Sequence, residues 1–232
     1  MHETRARRRR FGPDRTLAVL ARVARLLTAP FVRFDIRGGA CADRVSGEVI
    51  ACNHRSLFDV VAGLIALDHF GHYPRLLIAR TYVEGRWTAP LARAIGSIPV
   101  DRGQGRGTAL APALDTLAAG APVLVMPEGR LHWDPAEPLS TGRAHTGAAR
   151  LAVAAGSVVV PAALVGTEAV WPSTSRWPRL NPFRRKVVVV NVADEPMVLE
   201  GDDHEANTER VMAEIRRLMA EASAPLPGGT AA

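Results

Sequence analysis

Apolar runs of four to ten residues alternate along the chain with stretches whose apolar positions repeat at helical spacing. The runs are rich in valine, isoleucine and leucine, and they predict buried strands at 48–52, 75–79, 97–100, 121–126, 157–166 and 186–192. The intervening stretches predict helices at 59–67, 89–96, 107–120 and 146–156. Continuous apolar strands separated by helices favour an α/β fold, with a mostly parallel central sheet and helices on both faces.

Two amphipathic helices flank this core. The first is predicted at 15–31, and the second closes the chain at 207–221. At 100° per residue, the first helix gathers its apolar side chains in one sector and its three arginines on the other side. These residues are Leu17, Leu20, Val23, Leu27 and Phe31, with Arg15, Arg22 and Arg25 opposite. Such a helix either lies in a membrane interface or packs on the domain, and the sequence leaves both open.

No repeat and no long linker divides the chain, so we predict a single domain at 15–222. It is preceded by a basic flexible arm at 1–14 and followed by a disordered tail at 223–232. The chain carries 29 Lys+Arg against 23 Asp+Glu, a net charge of +6. The arm suits nucleic acid, anionic lipid or simple solvation. Its arginines are not interleaved with aromatics and no recognition motif occurs, so we expect no nucleic-acid partner.

The cysteines and the charge-free stretches indicate in which cellular compartment the protein is expected. Cys41 and Cys52 are the only cysteines and form no C-x-x-C, which fits a reducing cytosol. The longest charge-free stretch, 151–167, is broken by glycine and proline and reads as helix end, turn and strand. His69 and His72 lack a clear further metal ligand, so surface positions are expected for them. We predict a cytoplasmic protein, peripheral on the inner face of the cell membrane, without metal or bound cofactor.

Three polar motifs stand directly after predicted strands, where chemistry is usual in parallel sheets. They are Asn53-His54, Asp101-Arg102 and Glu128-Gly129-Arg130. Glycine permits close backbone approach, and arginine suits a phosphate or carboxylate. A histidine base beside two arginine sites therefore predicts a phosphorylated substrate. No G-x-S-x-G elbow occurs, which disfavours an α/β-hydrolase.

The pair His54 and Asp59 has two compatible explanations. Ser56 and Asp59 match a capping box, with Ser56 as N-cap and Asp59 at the third helical position. Within one continuous helix, residues five apart would face about 140° away from each other. A helix that begins near Ser56 instead leaves His54 in the preceding turn, where Asp59 reaches back toward the imidazole. That carboxylate would fix the tautomer and leave the other ring nitrogen as a base.

In order and spacing, these motifs resemble the four blocks of the lysophospholipid and glycerol-phosphate acyltransferases, above all the 1-acyl-glycerol-3-phosphate acyltransferases. The blocks are "NHRSLFD", "GSIPVDR", "VMPEGR" and "VVVPAALVG", within residues 45–170. The resemblance implies that His54, oriented by Asp59, deprotonates the free hydroxyl of 1-acyl-sn-glycerol-3-phosphate. That hydroxyl then attacks an acyl thioester held on coenzyme A or acyl carrier protein, a step of phospholipid biosynthesis.

The resemblance also implies roles for other positions. The residues that would bind the acceptor phosphate are Arg102, Glu128, Gly129 and Arg130. Candidates for an acyl-groove or accessory role are Asn53, Ser56, Arg80 and Pro161. The implied partners are acyl-CoA or acyl carrier protein, a lysophospholipid and an anionic membrane surface.

Alternatives remain at the sequence level. The same chemistry would serve another lysophospholipid, a glycolipid or an aminolipid acceptor, and a non-catalytic lipid-binding module would keep the same fold. Cys52 as an acyl-carrying nucleophile is disfavoured, because it ends an apolar strand and is expected in the core. The segment 171–186 mixes aromatics with arginines and suits an interfacial membrane contact, a wall of the acyl channel or a plain surface loop.

Overall fold

A computed structural model describes residues 15–42, 45–80, 84, 89–100 and 110–224. One seven-stranded sheet forms the centre, in the order β1-β7-β6-β2-β5-β3-β4. The strands are β1 (Val32–Gly38), β2 (Val49–Cys52), β3 (Arg75–Ala79), β4 (Ile98–Val100), β5 (Val123–Val125), β6 (Val159–Val165) and β7 (Lys186–Val192). All neighbours are parallel except β6 and β7. The predicted, mostly parallel sheet is confirmed.

Helices cover both faces of the sheet, as predicted. They are α1 (Arg15–Thr28), α2 (Asp59–Phe70), α3 (Ala89–Ala94), α4 (Ala111–Ala118), α5 (Gly147–Ala155), α6 (Thr167–Val170) and α7 (His204–Ser223). Alternate residues of β2 point to opposite faces. Val49 and Ala51 join the core beneath α4, α5 and α7, whereas Ile50 and Cys52 join the core beneath α2. Helix α1 packs on α2 as a further layer.

The antiparallel pairing of β6 with β7 determines which strand ends share an edge of the sheet. Val165 at the end of β6 lies opposite Val189 of β7, and β1 runs parallel to β7. The amino-terminal ends of β1 and β7 therefore lie at the same edge as the carboxyl ends of β2, β5 and β6. We call this the carboxyl edge of the sheet.

The structure corrects three local predictions. Strand β1 was not predicted, and the first helix ends at Thr28 instead of reaching residue 31. His72 is not a surface residue, because its ring contacts the Glu48 carboxylate at 2.7 Å and the Ala42 carbonyl at 2.9 Å. The predicted arm (1–14) and most of the predicted tail (225–232) lie outside the described residues.

The described part of the chain lacks both a membrane-spanning helix and a metal-binding group of side chains. None of its helices is both long and apolar enough to cross a membrane. Within the same ranges, no three histidine, cysteine, aspartate or glutamate side chains are grouped so that they could hold a metal ion.

Candidate active site

The turn after β2 is fixed to the neighbouring strand by Asn53. Its fully buried amide donates to the Leu164 carbonyl at 2.9 Å and accepts from the Leu164 N–H at 2.8 Å. These two bonds continue the β2–β6 pairing with a side chain where the backbone of β2 turns away. Asn53 therefore positions the turn, and it does so from the core.

The next residues make a variant of the predicted capping box, in which the Ser56 hydroxyl accepts from the residue before Asp59. Ser56 Oγ accepts from the Phe58 N–H at 3.0 Å, and Asp59 Oδ2 accepts from the Ser56 N–H at 2.8 Å. The regular helix begins at Asp59, where the apolar run predicts it, and Phe58 takes the N-cap position in place of the predicted Ser56, without a side-chain cap. The Ser56 hydroxyl also donates to the Trp171 carbonyl at 2.6 Å, so the turn is attached to the segment that follows α6.

His54 and Asp59 are in direct contact. His54 Nδ1 lies 2.9 Å from Asp59 Oδ2, and the same oxygen accepts from the Arg55 N–H at 2.7 Å. A carboxylate only accepts, so Nδ1 carries the proton and Nε2 carries the lone pair. Asp59 is fully buried, whereas 19% of the His54 side chain is exposed. Among the described residues none occupies Nε2 with a hydrogen bond, so the lone pair is available to a substrate hydroxyl.

The turn after β5 lies against the His54 backbone. Glu128 Oε1 faces the His54 N–H at 3.5 Å, and the His132 N–H donates to the His54 carbonyl at 2.7 Å. Gly129 adopts φ 63°, which only glycine accommodates without strain, and the Arg130 side chain is exposed. The structure thus brings the predicted Glu128-Gly129-Arg130 motif beside His54.

Glu128 is a buried carboxyl whose two oxygens have different surroundings: Oε1 accepts a hydrogen bond, whereas Oε2 accepts none from the described residues. Burial raises the pKa of Glu128 to about 7, although the His54 and Gly142 N–H groups lower it; the Asp59 charge raises it further. Its second oxygen, Oε2, has no hydrogen-bond partner within the ranges that the structure covers. The raised pKa of Glu128 therefore favours the protonated carboxyl at a higher pH than is usual for glutamate.

Three other predicted positions lie elsewhere. Arg102 falls outside the described residues. Arg80 is at the end of β3 with Nη1 3.7 Å from the Glu84 carboxylate, and β5 separates β3 from β2. Pro161 is buried in β6, in register with Ala51 on the face beneath α7, and its carbonyl accepts from the Ala193 N–H. Pro161 is therefore on the opposite side of the sheet from the apolar cavity described below.

Sequence reasoning missed Arg55. Only 2% of Arg55 is exposed, and its guanidinium lies 4.2 Å from the centre of the Trp133 ring. It also donates to the Pro138 carbonyl and approaches Glu168 at 3.8 Å. One side chain thereby connects the turns after β2 and β5 with helix α6. Its partners are 78 or more residues away in the sequence, so no local pattern identifies it.

Cys52 is unsuited to nucleophilic chemistry. It is buried among the residues beneath α2, as expected. Burial raises the pKa of the Cys52 thiol far above its ordinary value, and the negative charges of Asp59 and Glu128 add to that effect. The thiol is therefore protonated and inert at physiological pH.

An apolar cavity of about 300 Å³ opens beside the histidine–aspartate pair. Helices α1 and α2 form one wall and the sheet forms the other. Its lining includes Leu20, Leu64, Leu124, Met126 and Leu164, together with Asp59. A cavity of this size and polarity accommodates part of an alkyl chain. The site as a whole combines a histidine–aspartate pair, an exposed arginine and an apolar cavity at the carboxyl edge of an α/β sheet.

The chain matches the model of a known enzyme family. A family model described as Acyltransferase matches residues 34–165, more than half of the 232-residue chain. The chain therefore belongs to the Acyltransferase family and is an acyltransferase. The family predicted from the four motifs is confirmed.

The fold is similar to that of a solved relative. The crystal structure of the 1-acyl-sn-glycerophosphate (LPA) acyltransferase PlsC from Thermotoga maritima superposes with a TM-score of 0.72 and 19% sequence identity. The superposition covers 91% of this chain and 81% of that chain. A comparison with curated protein sequences gave no match.

Proposed function

We propose that this acyltransferase moves a fatty acyl group from an acyl thioester to the free hydroxyl of 1-acyl-sn-glycerol-3-phosphate. The observation that carries the proposal is the 2.9 Å contact of His54 Nδ1 with the buried Asp59 carboxylate, which leaves Nε2 facing outward as a base. The adjoining apolar cavity and the exposed Arg130 supply complementary surroundings for an anionic lipid.

The proposed reaction proceeds by direct attack. Nε2 of His54 takes the proton of the acceptor hydroxyl as its oxygen attacks the thioester carbonyl. The tetrahedral intermediate expels the thiolate, which receives the proton back from the imidazolium. Asp59 keeps Nδ1–H oriented and stabilises the positive charge that the ring carries in between. No protein nucleophile is required, in agreement with the protonated thiol of Cys52.

The phosphate would be bound at the turn after β5. Arg130 is exposed beside His54, and Gly129 allows the backbone to approach an anion closely. Glu128 is buried against the His54 N–H, so its proposed part is to place that turn without touching the phosphate. Arg102 is proposed as the second phosphate ligand on the strength of its motif alone.

The acyl chain of one substrate would occupy the apolar cavity between α1, α2 and the sheet. The donor would be acyl-CoA or acyl carrier protein. We propose that the enzyme works on the inner, cytoplasmic face of the cell membrane, because its acceptor is a membrane lipid. Exposed apolar side chains on α1, including Leu26 and Leu27, support contact with lipid.

The test is release of free thiol by the full chain, with acyl-CoA and acyl carrier protein as donors. The acceptor panel comprises lysophosphatidic acid, other lysophospholipids, a glycolipid and an aminolipid. We expect lysophosphatidic acid to give the highest kcat/KM and His54→Ala to lower it by at least about a thousandfold. A higher kcat/KM with another acceptor would replace the proposed substrate. Normal turnover by His54→Ala would overturn the mechanism.

A further inference from the structure

The segment 171–186, between α6 and β7, exposes large apolar side chains in a basic setting. Trp177 is 70% exposed, Leu180 is 44% exposed and Phe183 is 94% exposed. The segment contains five cationic side chains and no acidic one: Arg176, Arg179, Arg184, Arg185 and Lys186. Within the described part of the chain, no carboxylate pairs with Arg176, Arg179 or Arg184. Exposed aromatics amid unpaired arginines suggest a binding surface.

This segment is fastened to the fold at several points. The Arg179 N–H donates to the Val170 carbonyl at 2.7 Å, and the Lys186 N–H donates to the Phe31 carbonyl at 2.9 Å. The Trp171 indole donates to the Ser175 carbonyl at 3.1 Å. The Trp171 carbonyl accepts from Ser56, which belongs to the turn that carries His54. The apolar side chains are therefore held outward by a defined backbone that is continuous with the active-site turn.

The sheet topology places the segment at the mouth of the active site. Val189 of β7 lies level with Val165, at the end of β6, and Lys186 precedes Val189 by three residues. At about 3.3 Å per residue, the start of β7 extends roughly 10 Å past the end of β6. The segment 171–186 thus forms a rim that projects beyond the level of His54.

Helix α1 ends at the same rim. Its exposed apolar residues Val19, Val23, Leu26 and Leu27 recur at helical spacing and form one stripe. Leu26 and Leu27 are in its last turn, and Phe31, whose carbonyl accepts from Lys186, follows closely. We call the set Leu26, Leu27, Trp177, Leu180 and Phe183 the rim surface.

We propose that the rim surface docks the enzyme on an anionic lipid bilayer with the active-site mouth facing the lipid. Phe183 and the leucines suit the acyl boundary, Trp177 suits the headgroup level, and the arginines suit lipid phosphates. The delivery of a lysophospholipid from the bilayer to His54 rests on the proposed function; docking itself does not require turnover. Single-stranded nucleic acid also binds arginines and aromatics, but it would gain nothing from the exposed leucines.

The test places a reporter on the rim surface of the full chain. Phe183→Cys is labelled with an environment-sensitive dye, and Val198→Cys is the matched control. Both native cysteines are buried, so labelling is selective. Val198 is 59% exposed and follows Met197, which pairs with Val159 at the opposite edge of the sheet. The vesicles are phosphatidylcholine alone or with about a third of phosphatidylglycerol.

We expect anionic vesicles to shift the dye at position 183 to the blue, less at high salt, and to leave position 198 unchanged. Trp177→Ser with Phe183→Ser should lower the vesicle-bound fraction at least about tenfold, and Arg179→Gln with Arg184→Gln should remove the preference for anionic vesicles. Val198→Ser should bind normally. The proposal is wrong if both labelled positions respond equally, if neither responds, or if single-stranded RNA or added protein alone produces the shift.

The same vesicle assay with His54→Ala separates this inference from the proposed function. We expect that variant to bind vesicles as the unaltered protein does. Should thiol release fail for every donor and acceptor while the dye at position 183 still responds, the acyl-transfer proposal falls and the docking surface stands. Should thiol release succeed while the dye does not respond, the docking proposal alone is overturned.

Discussion

Asp59 is the residue on which the geometry around His54 depends. One of its oxygens accepts from the imidazole, the Arg55 N–H and the Ser56 N–H. Asp59→Asn retains an acceptor but removes the charge that favours the protonated ring, and it permits the wrong tautomer. We expect kcat/KM for thiol release to fall by about 10²- to 10⁴-fold, with a native circular dichroism spectrum. The exposed Asp115→Asn is the control, and equal turnover by the two variants would contradict the role of Asp59.

The buried Glu128 carboxyl leads to a prediction about how the stability of the protein depends on pH. Its pKa is about 7 in the folded protein, chiefly through burial, against an ordinary value of 4.5. Between these two pH values the folded state binds more protons than the unfolded state, so this carboxyl makes stability fall as pH rises from about 4.5 to about 7. The loss has an upper limit of about 3 kcal/mol.

Glu128→Gln tests this linkage because glutamine does not titrate. Urea unfolding at about pH 5 and about pH 8 gives the free energy of unfolding for both proteins. We expect the unaltered protein to lose more stability between the two pH values than the variant does, and the difference isolates Glu128 from other titrating groups. The same pH dependence in both proteins would show that the folded-state pKa is not raised.

The sequence was enough to predict the site residues whose contacts are with residues nearby in the sequence. His54, Ser56 and Asp59 are within six positions, so helix geometry was enough to predict their contact. Glu128 and Gly129 were placed correctly because they follow a parallel strand. Arg55 was missed because its role depends on Trp133, Pro138 and Glu168, which only the tertiary fold brings near.

At the scale of elements, Asn53 connects two strands through its side chain. Asn53→Ala would leave the N–H and carbonyl of Leu164 without partners in the core. We expect the free energy of unfolding to fall by about 2–4 kcal/mol in urea titrations, since each unsatisfied buried group costs about 1–3 kcal/mol. Leu57→Ala, in the same turn but about half exposed, should change it by less than about 0.5 kcal/mol. Equal effects of the two changes would show that the Asn53 side chain does not hold β2 to β6.

The elements themselves were predictable where burial dominates. Residues 75–79 and 186–192 were predicted as strands with the observed bounds, because their apolar side chains run without interruption. Strand β1 was missed because the prediction of strands rested on continuous apolar runs alone, whereas β1 alternates apolar and polar residues, the pattern of a half-buried strand at the edge of a sheet. The start of α2 at Asp59 was predicted correctly from its apolar run, but its N-cap was predicted at Ser56 because the hydrogen bonds between Ser56 and Asp59 form before the regular helix begins.

At the scale of the whole molecule, the antiparallel pairing of β6 and β7 has the widest consequence. It brings the start of β1, the end of α1 and the segment 171–186 to the edge where His54 lies. The sequence contains no signal for this reversal, because β7 has the same continuous apolar pattern as the parallel strands. The apolar cavity likewise arises only when α1 packs on α2 and the sheet.

The cavity leads to a prediction about substrate choice. Gly63 of α2 lines it, and a Cβ placed there would meet no atom within 4 Å. Gly63→Leu should fill part of the chamber and exclude the end of a long acyl chain. Because each buried methylene contributes about 0.8 kcal/mol, we expect the kcat/KM ratio of donors of about sixteen carbons to donors of about eight to fall at least tenfold.

Gly63→Ala is the control for backbone effects at this position. Alanine removes the conformational freedom of glycine within a helix and should raise the free energy of unfolding by about 0.5–1 kcal/mol, with little change in chain-length preference. If Gly63→Leu folds and keeps the original ratio, the acyl chain does not occupy this cavity. A shift in chain-length preference confined to Gly63→Leu would instead connect the packing of α1 and α2 directly to the choice of substrate.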